Sequence, residues 1–221
     1  MTRAREARPL PRAAYERETL AVAHDLLGCR LVHDAPEGRT SGRIVEVEAY
    51  HGEDDPACHA AAGLTARTAP LYGPPGHAYV YFIYGMYHCV NVVTRDEGLP
   101  SAVLIRALEP LEGLDLMRRR RAARAPGRGN GVAIPHRALC DGPGKLSVAL
   151  GLTLAHNRLD VTGPPLWIES DPGHPDPEVV WTPRVGITVG TERFWRCIAK
   201  GSPFVSRSPL NREIAPRPVL R

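Results

Sequence analysis

The chain has 221 residues, 43% hydrophobic and 24% charged, with a formal net charge of +4. That is material for one domain with a real core, and too little for two ordinary domains and a linker. No apolar run approaches the ~20 residues that span a bilayer, and no apolar stretch of a secretory leader follows Met1. Cys29, Cys58, Cys89, Cys140 and Cys197 stand singly without Cys-x-x-Cys spacing, so a membrane protein, a secreted disulfide scaffold and a zinc ribbon are excluded and a reducing cytoplasm is expected.

With 22 prolines and 21 glycines, connections should be many and helices short. Thr19–Leu27 predicts the first helix: Thr19 can cap it, Leu20, Ala23 and Leu27 share a face, and Gly28 ends it. Arg30-Leu31-Val32 leads to a turn around Pro36-Glu37-Gly38. Residues 43–50 then alternate with period two, as a strand does. Asp55-Pro56 should open a short Ala-rich helix that Gly63 closes. Residues 79–83 and 87–93 are β-rich runs around Tyr84-Gly85-Met86, which reads as a hairpin. Val103–Ala107 is a further strand, and a helix should start at Pro110 and run through Leu111, Leu114 and Met117 into a row of arginines. Gly127–Pro135 reads as a Gly-rich loop, Leu146–Leu150 as a short helix, and Leu166-Trp167-Ile168 and Val185-Gly186-Ile187 as strands. Strands outnumber helices and do not alternate with them, so a mixed sheet with helices packed around it fits better than a doubly wound fold.

All but two (Lys145 and Lys200) of the 28 basic residues are arginines. Guanidinium grips phosphate with two parallel hydrogen bonds, as an ammonium cannot. Seven arginines fall between Met117 and Leu139 with no acid among them. A GC-rich genome and a solvated loop explain this as well as a surface that meets a polyanion does.

Four groups of residues could carry chemistry. The strand 43–50 places Glu46, Glu48 and Tyr50 on one face. That is either a solvent-facing edge or an acid–base site with an aromatic beside it for a flat substrate. His51, Glu53, Asp54, Asp55 and His59 are ligand-type residues without a metal-binding interval, and a helix capped by Asp55 explains the acids more simply. Asp141-Gly142-Pro143-Gly144-Lys145-Leu146 has Leu139 and Leu146 where a Walker loop needs Gly and Ser or Thr, which leaves a Gly-rich helix start suited to a phosphate. The segment 79–87 holds four of the seven tyrosines. Core pairing across strands suits Tyr79 and Phe82 but not a tyrosine at a Gly-flanked turn. An apolar wedge there, beside arginines, is what proteins use to unstack a duplex from the minor groove.

These residues resemble the alkyladenine (3-methyladenine) DNA glycosylase family of the mammalian type. The resemblance rests on Glu46-Val47-Glu48-Ala49-Tyr50, Asp54 to His59, Tyr79 to Tyr87 with Cys89 and Asn91, and Leu104 to Pro110. Gly142 to Leu146, Arg184 to Ile187 and Gly201 to Ser206 also match, so the likeness runs from about Leu20 to Ser206. It implies an α+β (mixed) fold: a single compact domain with a curved antiparallel sheet, short flanking helices and a protruding β-hairpin. Residues 1–18 are then a basic, flexible N-terminal arm, 19–206 the glycosylase domain with an Arg-rich loop at 118–137, and 207–221 a C-terminal tail.

The implied activity is that of a monofunctional DNA glycosylase in base-excision repair. Such an enzyme flips out and hydrolytically releases 3-methyladenine, 7-methylguanine, hypoxanthine or ethenoadenine from double-stranded DNA. By position, Glu48 is the general base. Tyr50 and His59 stack on one side of the flipped base and Tyr81 on the other. Asn91 bars the amino group of normal guanine, and Arg106 supports the site. Tyr84 and Met86 enter the duplex, and Thr65, Arg67 and Lys145 touch phosphates. No cofactor, metal or membrane is implied, no lyase step is expected, and the protein should be a cytoplasmic monomer, nucleoid-associated in a bacterium. Cys197-Ile198 departs from the family's aromatic pair, and residues 118–137 have no counterpart in the family pattern. The competing readings are a non-enzymatic protein that bends or reads DNA with the Tyr84 hairpin, and a metal-dependent hydrolase built on Glu48, Asp54 and His59.

Overall fold

The structure is a computed structural model and describes residues 7–124 and 134–218. The first helix, α1 (Thr19–Leu26), buries Leu20, Val22, Ala23 and Leu26. Thr19 lies inside it and not at its cap, because the threonine hydroxyl is 3.0 Å from that of Thr94 in the core. Gly28 follows with φ +87° and Pro177 packed where a Cβ would project, a conformation that only glycine adopts without strain.

Two strands follow as a hairpin, β1 (Arg30–Ala35) and β2 (Gly38–His51). A second hairpin pairs β3 (Ala78–Ile83) with β4 (Tyr87–Val93), and β5 (Ser101–Glu112) is the long partner of β2. Short strands β6 (Thr162–Gly163), β7 (Leu166–Glu169), β8 (Val179–Thr182) and β9 (Arg196–Ala199) complete the described set. All pairings are antiparallel, and the path runs β3-β4-β5-β2-β1-β7-β6, with β9 joined to β2 and carrying β8. This is the curled antiparallel sheet of a mixed α+β domain. Helices α2 (Leu114–Ala123) and α3 (Pro143–Leu150) pack with α1 against it. The core draws on Leu26 of α1, Met117 of α2, Leu146 of α3 and Ile44, Val90 and Ile105 of the sheet.

Several local expectations are corrected. Strand β5 continues through Pro110 and Leu111, and α2 begins only after Gly113. Pro110 faces Gly42 beside a register shift, where a missing N–H costs little. Gly113 has φ +74°, and a Cβ there would run into the Arg39 carbonyl, so the turn is fixed by that close approach. Residues 185–187 are not a strand; the chain there crosses between β8 and β9. The Ala-rich helix is a single 3-10 turn, His59–Ala62, although Gly63 does close it. The loop expected at 127–135 lies, up to residue 133, outside the described residues.

Near the N-terminus, the Leu10 amide donates to Ile168 and Tyr15 is fully buried. Near the C-terminus, Asn211 accepts from Arg196. Among the described residues no helix is long and apolar enough to cross a membrane.

Candidate active site

The site is built on two irregularities between β2 and β5. Ile44 faces Leu108 and Glu46 faces Ala107, so Val45 is extra on β2. Next, Val47 faces Ile105, so Arg106 is extra on β5. A bulge bends the strand and re-aims a side chain. Here Arg106 reaches two carboxylates at once, donating from Nε to Glu46 Oε1 at 2.8 Å and from Nη1 to Glu48 Oε2 at 3.2 Å.

Both glutamates are fully buried, so the solvated edge is ruled out. Their surroundings differ. Glu46 Oε1 accepts from Arg106, Arg196 Nε and the Ser206 hydroxyl, and Oε2 from the Ser206 amide at 2.7 Å. Glu46 thus accepts four hydrogen bonds, three of them on Oε1. Burial alone would raise its carboxyl, but Arg106, Arg196 and Ser206 overcome that and hold it below the usual glutamate value. Glu48 Oε2 accepts from the Tyr50 hydroxyl at 2.8 Å and from Arg106, while Oε1 accepts only the Val185 amide, at 2.6 Å, among the described residues. One acceptor position remains open, on Oε1. Tyr50 is held as a neutral donor, its hydroxyl pushed well up by burial and then by the adjacent Glu48 charge.

Glu48's three partners, Tyr50, Arg106 and Val185, all line a cavity of about 520 Å³, a size suited to one small flat molecule. His59, Tyr81 and Asn91 line it as well. His59 Nδ1 is 2.8 Å from the Tyr79 hydroxyl, and burial, then Arg67, depresses the imidazole's pKa, favouring the neutral ring. His59 and Tyr81 meet edge to face with centroids 4.5 Å apart, closer than a base sandwiched between them allows. In this arrangement the two rings therefore do not face each other across a gap of base width. Asn91 is buried and donates from Nδ2 to the Tyr79 carbonyl at 2.9 Å.

The hairpin tip carries Tyr84 with φ +53°, in the left-handed region that a tight turn imposes. Tyr84 is 79% exposed, Met86 52% and Phe82 45%. Phe82 is thus not a core partner; it sits 5.1 Å from His88 on the outer face of the hairpin. Thr65 and Arg67 lie exposed on the loop before the 3-10 turn Ala69–Tyr72, with the Arg67 guanidinium 5.8 Å from the Tyr81 ring centre. Lys145 is at the cavity rim and is paired with Asp141 at 2.8 Å. Neighbouring Gly144 is required, since a Cβ would lie 2.7 Å from the Tyr87 ring.

Asp55 is not a helix cap. It accepts from the Ala57 amide and forms a fully buried ion pair with Arg184. Sequence reasoning also missed Arg196 and Ser206, which hold Glu46. Long separation in sequence hides such partners, and the signal available was the row of short polar motifs after residue 180. Cys197 and Ile198 are buried on β9 opposite Val47 and Glu46, where they fill core space. Among the described residues no group of three or more His, Cys, Asp or Glu side chains is placed to hold a metal.

Comparison with known proteins agrees with the motifs. The methylpurine-DNA glycosylase family profile matches residues 13–203. The chain is 48% identical over 202 residues to a protein of Methanocella arvoryzae, covering 90% of this chain and 96% of that one. It is 50% identical over 201 residues to one of Methanoculleus marisnigri, covering 90% and 98%. A Chlorobaculum tepidum protein is 44% identical over 196 residues, 88% of each chain. All three are provisionally named 3-methyladenine DNA glycosylases.

Proposed function

The chain belongs to the methylpurine-DNA glycosylase family, and from that premise we propose that it hydrolyses the N-glycosidic bond of damaged purines in double-stranded DNA. The substrates are 3-methyladenine and 7-methylguanine, with hypoxanthine and ethenoadenine as neutral relatives. The observation that carries the reading is the different placement of the two buried glutamates: all three residues bonded to Glu48 (Tyr50, Arg106 and Val185) line the cavity, whereas of those bonded to Glu46 only Arg106 does.

A duplex hides its glycosidic bonds, so the nucleotide must rotate out, at a cost of a few kcal/mol. Tyr84 and Met86 at the hairpin tip fill the vacated stack. Thr65, Arg67 and Lys145 hold phosphates. The base enters beside Tyr50, His59 and Tyr81, and the neutral imidazole of His59 meets an alkylated, cationic purine without repulsion. Asn91 crowds the position of guanine's exocyclic amine.

As the C1′–N bond breaks, its electron pair leaves with the base and positive charge builds on the sugar, which the Glu48 carboxylate stabilises. Water hydrogen-bonded to Oε1 gives its proton to Glu48 and its oxygen to C1′. Alkylated purines depart as neutral bases, whereas hypoxanthine must first gain a proton. A lyase step would need an amine nucleophile. Lys145, placed at a phosphate contact and paired with Asp141, is a poor candidate, so the expected product is an abasic site in an intact strand.

The test is base release from duplexes carrying 3-methyladenine or hypoxanthine, with and without chelator. Free base and an uncut abasic strand, in either condition, are expected. Tight binding without release would make the protein a DNA reader, and loss of activity in chelator would make it a metal hydrolase.

A further inference from the structure

The two faces of the β3–β4 hairpin present different chemistry. Side chains alternate across a strand, so Tyr81, Ile83, Tyr87 and Cys89 line the cavity while Phe82 and His88, paired in register, point the other way. On that outer face ends the Arg-rich helix α2. Met117 is buried at its start, and Arg120 donates to the Ala149 carbonyl from the same side of the helix. One turn on, Arg124 Nη1 reaches to 3.5 Å from the Met86 carbonyl at the hairpin tip. Burial and then the nearby Arg124 charge both depress the His88 imidazole. The acid of α2, Asp115, is at the far end and paired with Arg118 at 2.7 Å.

A hairpin that enters a minor groove has one strand on each side. The cavity side takes the strand whose nucleotide is extruded, and there stand Arg67 and Lys145. The outer side must then face the complementary strand. Arg124 is a charged side chain held at that edge, beside an exposed Phe82 and Met86.

We propose that the C-terminal end of α2, through Arg124, grips the phosphate backbone of the undamaged strand, so that the wedge is braced from both strands. This rests on the proposed function, and it gives the arginine-rich segment a role that the family pattern does not. The bland alternative is that Arg124 only complements the helix dipole, in which case DNA would not sense it.

The experiment measures affinity of the full-length protein for a hypoxanthine-containing duplex across a salt series, for wild type, Arg124→Gln and Arg124→Lys. Loss of one phosphate contact should lower the magnitude of the log K against log [salt] slope by about one in Arg124→Gln, with Arg124→Lys restoring most of it. Uncharged methylphosphonates are then placed opposite the lesion, on either strand. Neutralising the undamaged strand should weaken wild type several-fold and cost Arg124→Gln nothing further, whereas neutralising the damaged strand should weaken both alike. An unchanged slope, or a variant insensitive instead to the damaged strand, overturns the proposal. Wild type that fails to bind the duplex at all would remove the functional reading itself, a different outcome from either.

Discussion

Arg184 and Asp55 meet as a two-bonded ion pair wholly closed to solvent, with Nη1 to Oδ2 at 2.5 Å and Nη2 to Oδ1 at 2.8 Å. The pair ties the segment leading to β9 onto the loop after β2. Arg184 also donates to the Ala49 carbonyl at 3.1 Å, and its guanidinium lies 4.8 Å from the Tyr50 ring centre. The next residue, Val185, donates its amide to Glu48. One buried pair thus fixes both a wall of the cavity and a donor to the carboxylate.

Asp55→Asn should therefore destabilise strongly. Breaking a buried pair leaves an uncompensated charge and costs about 3–5 kcal/mol, a fall in Tm of ten degrees or so for a chain of this size. Thermal melting checks it. A change of only a degree or two would mean that Arg184 finds another partner, and that the pair does not hold Val185 in place.

Glu46 governs an acid limb of stability. Its pKa in the folded protein is depressed below the ordinary value of 4.5, so its contribution is complete above that value and is lost as pH falls through the folded one. Melting of wild type should decline below about pH 4.5, where unfolded glutamate takes up its proton. Glu46→Gln should flatten that limb and lower Tm at neutral pH, because Arg106 and Arg196 lose their shared anion. Equal pH dependence in both proteins would show that another carboxylate sets it.

Tyr84→Ala should fold with a near wild-type Tm, because a side chain exposed as this one is contributes little to the core. It should lose most base release on duplex DNA and less on a single strand, where no stack has to be propped open. A Tm lowered by ten degrees, with both activities falling alike, would place the ring in a structural role.

Asn91→Ser should raise release of unmodified guanine while leaving adenine-type lesions little changed. The bond from Nδ2 to the Tyr79 carbonyl orients the amide, and serine is too short to keep both that bond and the bulk. Background depurination of undamaged duplex is the readout, and no increase would leave Asn91 as a strand-pairing residue only.

The parts of the fold that showed in the sequence were those written in local pattern. Period-two alternation marked the strand that carries Glu46 and Glu48, and a glycine-flanked turn between two β-rich runs marked Tyr84 as a tip residue. What did not show depended on partners distant in the chain. Pro110 looked like a helix start, but pairing of β5 with β2 carried the strand past it. The turn of Arg106 toward Glu46 and Glu48 comes with two opposed bulges, which no single strand's pattern reveals. The different environments of Glu46 and Glu48 come from Arg196, Ser206 and Val185, over a hundred residues away. Glu46, held by Arg106, Arg196 and Ser206, accordingly belongs to the framework.

The central claim is that Glu48, with its open acceptor site, is the base for water. Single-turnover release of hypoxanthine from duplex DNA by Glu48→Gln tests it most directly, with lesion affinity measured on the same protein. Glutamine keeps the shape but cannot take a proton, so the rate should fall by 10²–10⁴ or more while lesion binding stays near wild type. Release by Glu48→Gln at a rate within a few-fold of wild type would contradict the account.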